Sequence, residues 1–341
     1  MIDIDGSQGE GGGQILRTAL ALSMITGESV RFSNIRAGRK KPGLMRQHLT
    51  SVQAAAEISQ ADVSGAAIGA RELIFKPGSI RAGDYFFAIG TAGSTSLVFQ
   101  TVLPALMLAD GPSQLSFEGG THNSMAPPYD FLAEVFLPVL QKIGLRVDTQ
   151  LERCGFYPAG GGRWTASIQP ESTLHALQLT ERGEVLERAA VAMWANLPGH
   201  IAQRELTTVA ASLNWPGACL QYCELPAPQP GPGNYLKLRL ICEHTTEVFS
   251  TFGELGISAE RVARKSIKAM QRYLAANVPV GEHLADQLLL PMALAGAGRF
   301  LTLPLSQHTL TNISVIERFL PVRFNVKVLE KNKSIISVAD S

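Results

Sequence analysis

This sequence of 341 residues has no excess of charge of either sign: 30 Lys and Arg stand against 29 Asp and Glu, a formal net charge of +1. No global field exists to hold such a chain along a nucleic-acid backbone, so any RNA or DNA has to be met at a local site. Cysteine is scarce. The four residues (Cys154, Cys219, Cys223 and Cys242) are scattered, and Cys219 and Cys223 lack a second ligand pair nearby, which argues against zinc and for reduced thiols in a cytoplasmic protein. Aromatics reach only 7%, yet 45% of residues are hydrophobic, which excludes a disordered chain. The opening MIDIDGSQ has no basic stretch ahead of an apolar core, so no signal peptide is expected. Residues 85–109 carry no charge and are long enough to span a bilayer, but Gly90, Gly93, Gln100 and Pro104 among them favour a buried helix after a glycine turn. No membrane partner is expected.

What is present is a recurring order. The length suggests about two domains. The first segment reads strand (Ile2 to Asp5), glycine turn, helix (Gln14 to Ile25), strand (Val30 to Ile35), helix (Gly43 to Ser59), then two short strands ending near Lys76. Pro42 fits the start of that second helix, where its missing donor costs nothing. The second segment runs DYFFAI, GTAGS, TSLVFQTVLPALMLA, QLSFEG, PPYDFLAEVFLPVLQKIG and two strands, Leu145 to Arg153 and Arg163 to Ile168. Near the end the order returns as GEHLADQLLLPMALAGAG, RFLTLPL, TLTNISVIERFL, RFNVKVLE and SIISVAD. Helices are read from apolar spacing such as Phe131, Val135, Leu137 and Leu140, and strands from alternation such as Phe324, Val326 and Val328. The expected fold is α/β (α+β): three repeated units of a four-stranded sheet with two helices, helices packed inward. The glycine turns of units one and two and a polar turn of unit three would converge on one site. Residues 181–276 have a different texture, with the proline-rich LPAPQPGPGN, and read as a smaller inserted α/β domain in a large domain of residues 1–180 and 277–341.

Three stretches carry candidate chemistry. In LSQHTLTNIS, His308 follows an apolar strand and precedes a helix that Ser306 or Thr309 would cap. A helix start disfavours positive charge and keeps an imidazole neutral, the form that attacks electrophiles; a loop hydrogen bond is the plainer reading. In IRAGRKKPG, Arg36, Arg39, Lys40 and Lys41 place four positive charges in six residues, enough for one terminal phosphate or a nucleotide's phosphates, or else a solvated basic loop. In GSQGEGGGQILRTALAL, five glycines surround Glu10, whose carboxylate could go to Mg²⁺ alongside substrate phosphates. Arg17 lies on the apolar helix that follows, so it must be paired or face a polar site, and a Glu10–Arg17 salt bridge is the alternative. Neither the P-loop nor the dinucleotide-binding glycine pattern is present. Arg261, Arg264, Lys265 and Lys268 read as a solvated helix face before an RNA contact.

Taken together, GEGGGQILR, IRAGRKKPGLMRQHL, GTAGS, APP (126–128), GFYPAGGG, LADQL and the late His308 resemble the RNA 3′-terminal phosphate cyclase family over nearly the whole chain. The resemblance implies repeats like the C-terminal domain of translation initiation factor three. It also implies an ATP-dependent ligase-type reaction of RNA processing that turns an RNA 3′-phosphate into a 2′,3′-cyclic phosphate. In that scheme His308 attacks the α-phosphate of ATP, releasing pyrophosphate; AMP passes from histidine to the RNA 3′-phosphate; the vicinal 2′-hydroxyl then closes the ring. Carried over by position, Glu10 holds a divalent metal (Mg or Mn). Arg17, Arg36, Arg39 and Gln47 hold phosphates. Gln100, Pro127, His283, Asp286 and Gln287 line the adenosine pocket, with His283 standing where the family commonly has tyrosine. RNA 3′-phosphate ends, and a second copy of the chain, are the candidate partners. Relatives that act in ribosome assembly lack the nucleophilic histidine, which is present here; an enolpyruvyl-transferase-like enzyme of similar repeated architecture is the rival enzyme class.

Overall fold

Residues 1–171 and 173–340 are described by the structure, a computed structural model. The chain begins with β1 (Ile2–Asp5), α1 (Gln14–Thr26), β2 (Val30–Ser33), α2 (Arg46–Ser59), β3 (Asp62–Ser64) and β4 (Leu73–Lys76). Next come β5 (Asp84–Ala88), α3 (Thr95–Leu106), β6 (Ser113–Gly119), α4 (Tyr129–Phe131), a π turn (Leu132–Phe136), α5 (Leu137–Ile143), β7 (Arg146–Arg153) and β8 (Gly162–Gln169). A short β9 (Leu177–Leu179) precedes β10 (Val185–Ala195), α6 (His200–Leu213), β11 (Leu220–Glu224), β12 (Gly233–Cys242), β13 (Thr246–Phe252) and α7 (Ala259–Ala276). The chain closes with α8 (Glu282–Leu294), β14 (Gly298–Thr302), α9 (Gln307–Phe319), β15 (Val322–Glu330) and β16 (Lys333–Asp340).

These strands make four four-stranded mixed sheets, ordered β1-β2-β4-β3, β5-β6-β8-β7, β9-β14-β16-β15 and β11-β10-β12-β13. In each of the first three, the first two strands pair parallel and the other two pairings are antiparallel. The third sheet holds a strand absent from the sequence reading: β9 pairs Leu177 with Gly298 across the whole of the fourth sheet. Three residues that find their partner about 120 positions later leave no local signature.

Alternation decides which side chains enter the core. Along β6 and β8 every second residue is buried, which sends Leu115, Phe117, Trp164 and Ala166 inward. Phe117 and Trp164 stack with centroids 4.5 Å apart, and the indole Nε1 donates to Thr95 Oγ1 at 2.9 Å, so the one polar atom of the ring is satisfied. Helices α1, α3, α8 and α9 contribute Leu20, Phe99, Leu288 and Ile316 to one continuous apolar cluster. Two expected helices differ in detail. Helix α2 starts at Arg46 and not near Pro42, because Gly43 (φ +83°) and Leu44 are first tied by their N–H groups to Ile35 and Ala70. The helix around 129–143 widens into the π turn just ahead of Pro138, which has no N–H to continue the regular ladder.

The fourth sheet has its own apolar cluster, including Leu206, Leu236, Leu238, Ile267 and Met270, under α6 and α7. Its β12 meets the second sheet's helical segment through charge. Lys237, with 8% of its side chain exposed, pairs with Asp130 and with Glu134 at 2.6 Å. Arg239 reaches Glu134 at 3.4 Å and Glu187 at 2.5 Å. The buried His122 donates from Nε2 to Asp130 at 2.7 Å, with Nδ1 2.8 Å from Thr121 Oγ1. Burial by itself would lower the pKa of His122, but the hydrogen bond and charge of Asp130 outweigh it and lift the ring to about 9. Burial likewise works to raise Asp130, and His122 and Lys237 outweigh it to hold that carboxyl well below the usual range.

The contribution of Asp130 is therefore present above its ordinary 3.8 and lost in acid, whereas that of His122 is full below 6.5 and lost as pH rises through about 9. Between pH 6.5 and 9 the urea midpoint should fall, and His122→Gln should flatten that fall; equal slopes would remove His122 as its source. Lys237→Met, which removes the buried cation that Asp130 and Glu134 share, should cost about 3 kcal/mol in the same titration.

Candidate active site

The glycine turn after β1 is bare because the protein itself comes close. The Gly11 (φ +59°) carbonyl accepts the Gly38 N–H at 3.1 Å, and a Cβ on Gly12 would stand 2.3 Å from Glu10 Oε1. The turn thereby folds Glu10 back into the protein, where its side chain is 8% exposed. Its Oε2 accepts from Arg39 Nη2 at 2.5 Å and lies 3.5 Å from His308 Nε2, while its N–H reaches Thr311 Oγ1 at 3.3 Å. The Glu10 partner is thus Arg39, not Arg17.

His308 is the second residue of α9, whose cap is Ser306: its Oγ accepts the Thr309 N–H at 3.2 Å. The imidazole is half exposed, at 51%, and its Nδ1 sits 2.6 Å from Gln14 Oε1 at the start of α1. The other end of that amide, Gln14 Nε2, donates to Asp286 Oδ2 of α8 at 2.8 Å. Thr18 donates to Asn312 at 2.8 Å, and Asn312 donates to the Asp286 carbonyl at 2.7 Å. Helices α1, α8 and α9 therefore meet through one polar seam. Burial lifts Asp286 to about 7 against the opposing Gln14 hydrogen bond and Arg17 charge.

The arginines divide. Arg36 donates to the carbonyls of Lys41 at 2.7 Å and Gly43 at 2.8 Å, bracing its own loop. Arg17 has no hydrogen bond or ion pair to its guanidinium among the described residues; burial draws its pKa down to about 10, still cationic, with Glu10 and Asp286 opposing the drop. Beneath it lies His48. A Cβ on Gly13 would meet His48 Nε2 at 2.4 Å and Arg17 Nη1 at 3.0 Å. Burial, then Arg17, Arg36 and Arg39, push this ring down to about 3, so it stays neutral; its Nδ1 has no partner.

Of the expected adenosine residues, Gln100 donates to Gln287 at 2.5 Å, joining α3 to α8, and Gln287 donates to the His283 carbonyl at 2.6 Å. His283 lies at the start of α8, and its pKa is lowered by burial of the ring and then by His308 and Arg272, against the opposing charge of Glu282. Gln47 accepts the Ser94 N–H at 2.9 Å and so ties α2 to the glycine turn ahead of α3. Pro127 lies on the loop between β6 and α4, outside this hydrogen-bonded set. A cavity of about 260 Å³ opens beside the site, between the glycine turn and α9, lined by Gln8, Gly9, Gln307, Thr311 and Arg318 among others. Gln14, Thr18, His48 and Asn312 were missed by the sequence reading. Gln14, Arg17 and Thr18 share one face of α1 at i, i+3 and i+4, and that polar stripe on an apolar helix was the available signal. Among the described residues no group of three or more His, Cys, Asp or Glu is placed to hold a metal, and no helix is long and apolar enough to cross a membrane. Arg261, Arg264, Lys265 and Lys268 all lie on the exposed face of α7.

The molecule is thus a mixed α/β protein of four-stranded mixed sheets, with an imidazole, a carboxylate and guanidinium groups gathered where its helices meet. The sequence model of the RNA 3′-terminal phosphate cyclase family matches residues 8–326 of the 341, and the chain belongs to that family. Among solved structures it is similar to the enolpyruvyl transferase NikO from Streptomyces tendae, at 10% identity and a TM-score of 0.38 over 98% of this chain and 48% of that one. It is also similar to EPSP synthase from Acinetobacter baumannii, at 10% identity and a TM-score of 0.29 over 95% of this chain and 62% of that one. The chain therefore spans about half the length of the first of these structures and less than two thirds of the second.

An unpaired, largely enclosed guanidinium calls for an anion. Arg17→Met should weaken binding of inorganic pyrophosphate by about ten- to a hundredfold, the worth of a lost charged hydrogen bond; calorimetry giving the same affinity for both proteins would leave Arg17 without that role.

Proposed function

We propose that this chain converts an RNA 3′-terminal phosphate into a 2′,3′-cyclic phosphate, using ATP and a covalent histidine–AMP intermediate. The observation that supports it most is the His308 imidazole, with Nδ1 on Gln14 and Nε2 left toward Glu10, the carboxylate that also holds Arg39. In this reading the Nε2 lone pair attacks the α-phosphorus; an N–P bond forms, the bridging P–O bond breaks, and pyrophosphate leaves with its electrons. An oxygen of the RNA 3′-phosphate then attacks the same phosphorus, and the N–P bond breaks to return the imidazole. The 2′-hydroxyl finally attacks the 3′-phosphorus, losing its proton as AMP departs. Adenylation gives a poor electrophile a good leaving group, and the 2′-oxygen is already held next to it.

The side chains fit these tasks. Arg17, Arg36, Arg39 and Gln47 are assigned to phosphate oxygens, with Arg36 Nη1 and Gln47 Oε1 also bracing the surrounding loops, and Gln100, Pro127, His283, Asp286 and Gln287 are assigned to the adenosine. A divalent ion (Mg or Mn) fits Glu10 only as a one-carboxylate site completed by phosphate oxygens and water, the arrangement magnesium favours. When bound, such an ion would neutralise charge on the phosphates. The same reading takes the three sheets of common strand order as repeats like the C-terminal domain of translation initiation factor three. Residues 181–276 are then a domain inserted into 1–180 and 277–341. It assigns the chain to the ligase class, in the cytoplasm, with RNA 3′ ends, and a second copy of itself, as partners.

With α-labelled ATP and a divalent metal, wild type should retain label on a denaturing gel and His308→Asn should not. A 3′-phosphorylated oligoribonucleotide should become phosphatase-resistant, and a 3′-hydroxyl one should be untouched. Label that survives His308→Asn would take the nucleophile away from His308.

A further inference from the structure

Nothing in the reaction as stated requires Gln14, yet its amide is held from both ends. Asp286 Oδ2 lies 2.8 Å from Nε2, and His308 Nδ1 lies 2.6 Å from Oε1. A carboxylate only accepts hydrogen bonds, so the end of Gln14 that faces Asp286 is its NH₂ and the end that faces His308 is its carbonyl. A carbonyl can only accept, so His308 must carry its proton on Nδ1. The lone pair is then on Nε2, the nitrogen turned toward Glu10. Free neutral histidine prefers the opposite tautomer, with the proton on Nε2, which would put an N–H where a nucleophile is needed. Which ring nitrogen bears the proton is set by what the other one bonds to.

We propose that Gln14 is a positioning residue that selects the nucleophilic tautomer of His308, and that Asp286 acts on the reaction by orienting Gln14. The inference rests on the reading of His308 as nucleophile and adds a role for Gln14 that the reaction alone does not assign. It also gives Asp286 a role toward the histidine: its Oδ2 accepts from the Gln14 amide, and its carbonyl accepts from Asn312. Thr18 and Asn312 join α1 to α9 again one turn further along.

The test is long-range proton–nitrogen NMR of the unliganded protein at about pH 8, above the value near 7 of Asp286, with His308→Asn identifying the signal. Wild type should show His308 with its proton on Nδ1. Gln14→Met, similar in length but without the amide, should shift the ring toward the Nε2–H form. Should Gln14→Met fail to fold, Asp286→Leu, which leaves Gln14 in place but unanchored, should give a mixture of the two forms. In single-turnover AMP transfer, Gln14→Met should lower the rate by about ten- to a hundredfold, the usual cost of losing an orienting partner, with little change in half-saturating ATP. The double variant with Asp286→Leu should be no slower than Gln14→Met alone. A His308 that keeps its proton on Nδ1 without Gln14, or losses that multiply in the double variant, would overturn the proposal. Wild type that shows the tautomer and its dependence on Gln14 but never takes up AMP would sink the cyclase reading and leave the tautomer lock standing.

Discussion

Helix α1 is buried along nearly all its length, so every polar side chain on it has to find a partner inside the protein. An orphaned buried amide or hydroxyl costs about 1–3 kcal/mol. Gln14 and Thr18 meet that demand with Asp286, His308 and Asn312, which come from two other helices late in the chain. The groups that could do chemistry are therefore the same groups that dock α8 and α9 onto α1. Positional accuracy at the site comes from the packing of the core, and a loop could not supply it as well.

Arg17 is the exception that gives the seam its meaning. It lies on the same face of α1, three residues after Gln14, and it alone of the three has no partner among the described residues. A guanidinium cannot shed its proton to escape burial. Its charge is offset at a distance by Glu10 and Asp286 while the neutral His48 lies beneath it, uncharged because burial and three arginines forbid a further cation. Arg36, in contrast, uses Nη1 on its own loop, so the basic cluster read from IRAGRKKPG holds one loop brace, one carboxylate partner and two exposed lysines.

Local signals in the sequence were enough for much of this. The glycine turn, the helix after it and the polar turn holding His308 were legible because bare backbone and apolar spacing are local properties. The basic loop was legible as charge but not as a division of labour, since the reach of Arg36 to Lys41 and Gly43 depends on its own left-handed φ of +55°. β9 was invisible for the opposite reason: its three residues become a strand only because Gly298 arrives beside them. Gln14 was read past because an amide at the start of a helix is unremarkable until its two neighbours, 272 and 294 residues away, are known.

The near-zero net charge also acquires a structural sense. Charges pair at the seams, Glu10 with Arg39 at the site and Asp130, Glu134 and Lys237 at the fourth sheet, and across the whole chain 30 basic residues balance 29 acidic ones, so no net field of one sign is built. Recognition of a polyanion along its length needs such a field; recognition of a single phosphate needs one guanidinium left unpaired in a place with little water. Arg17 offers such a guanidinium, and a net charge of +1 does not supply such a field. The two kinds of positive surface are thereby separated, one guanidinium on the enclosed face of α1 and a row of exposed basic residues on α7.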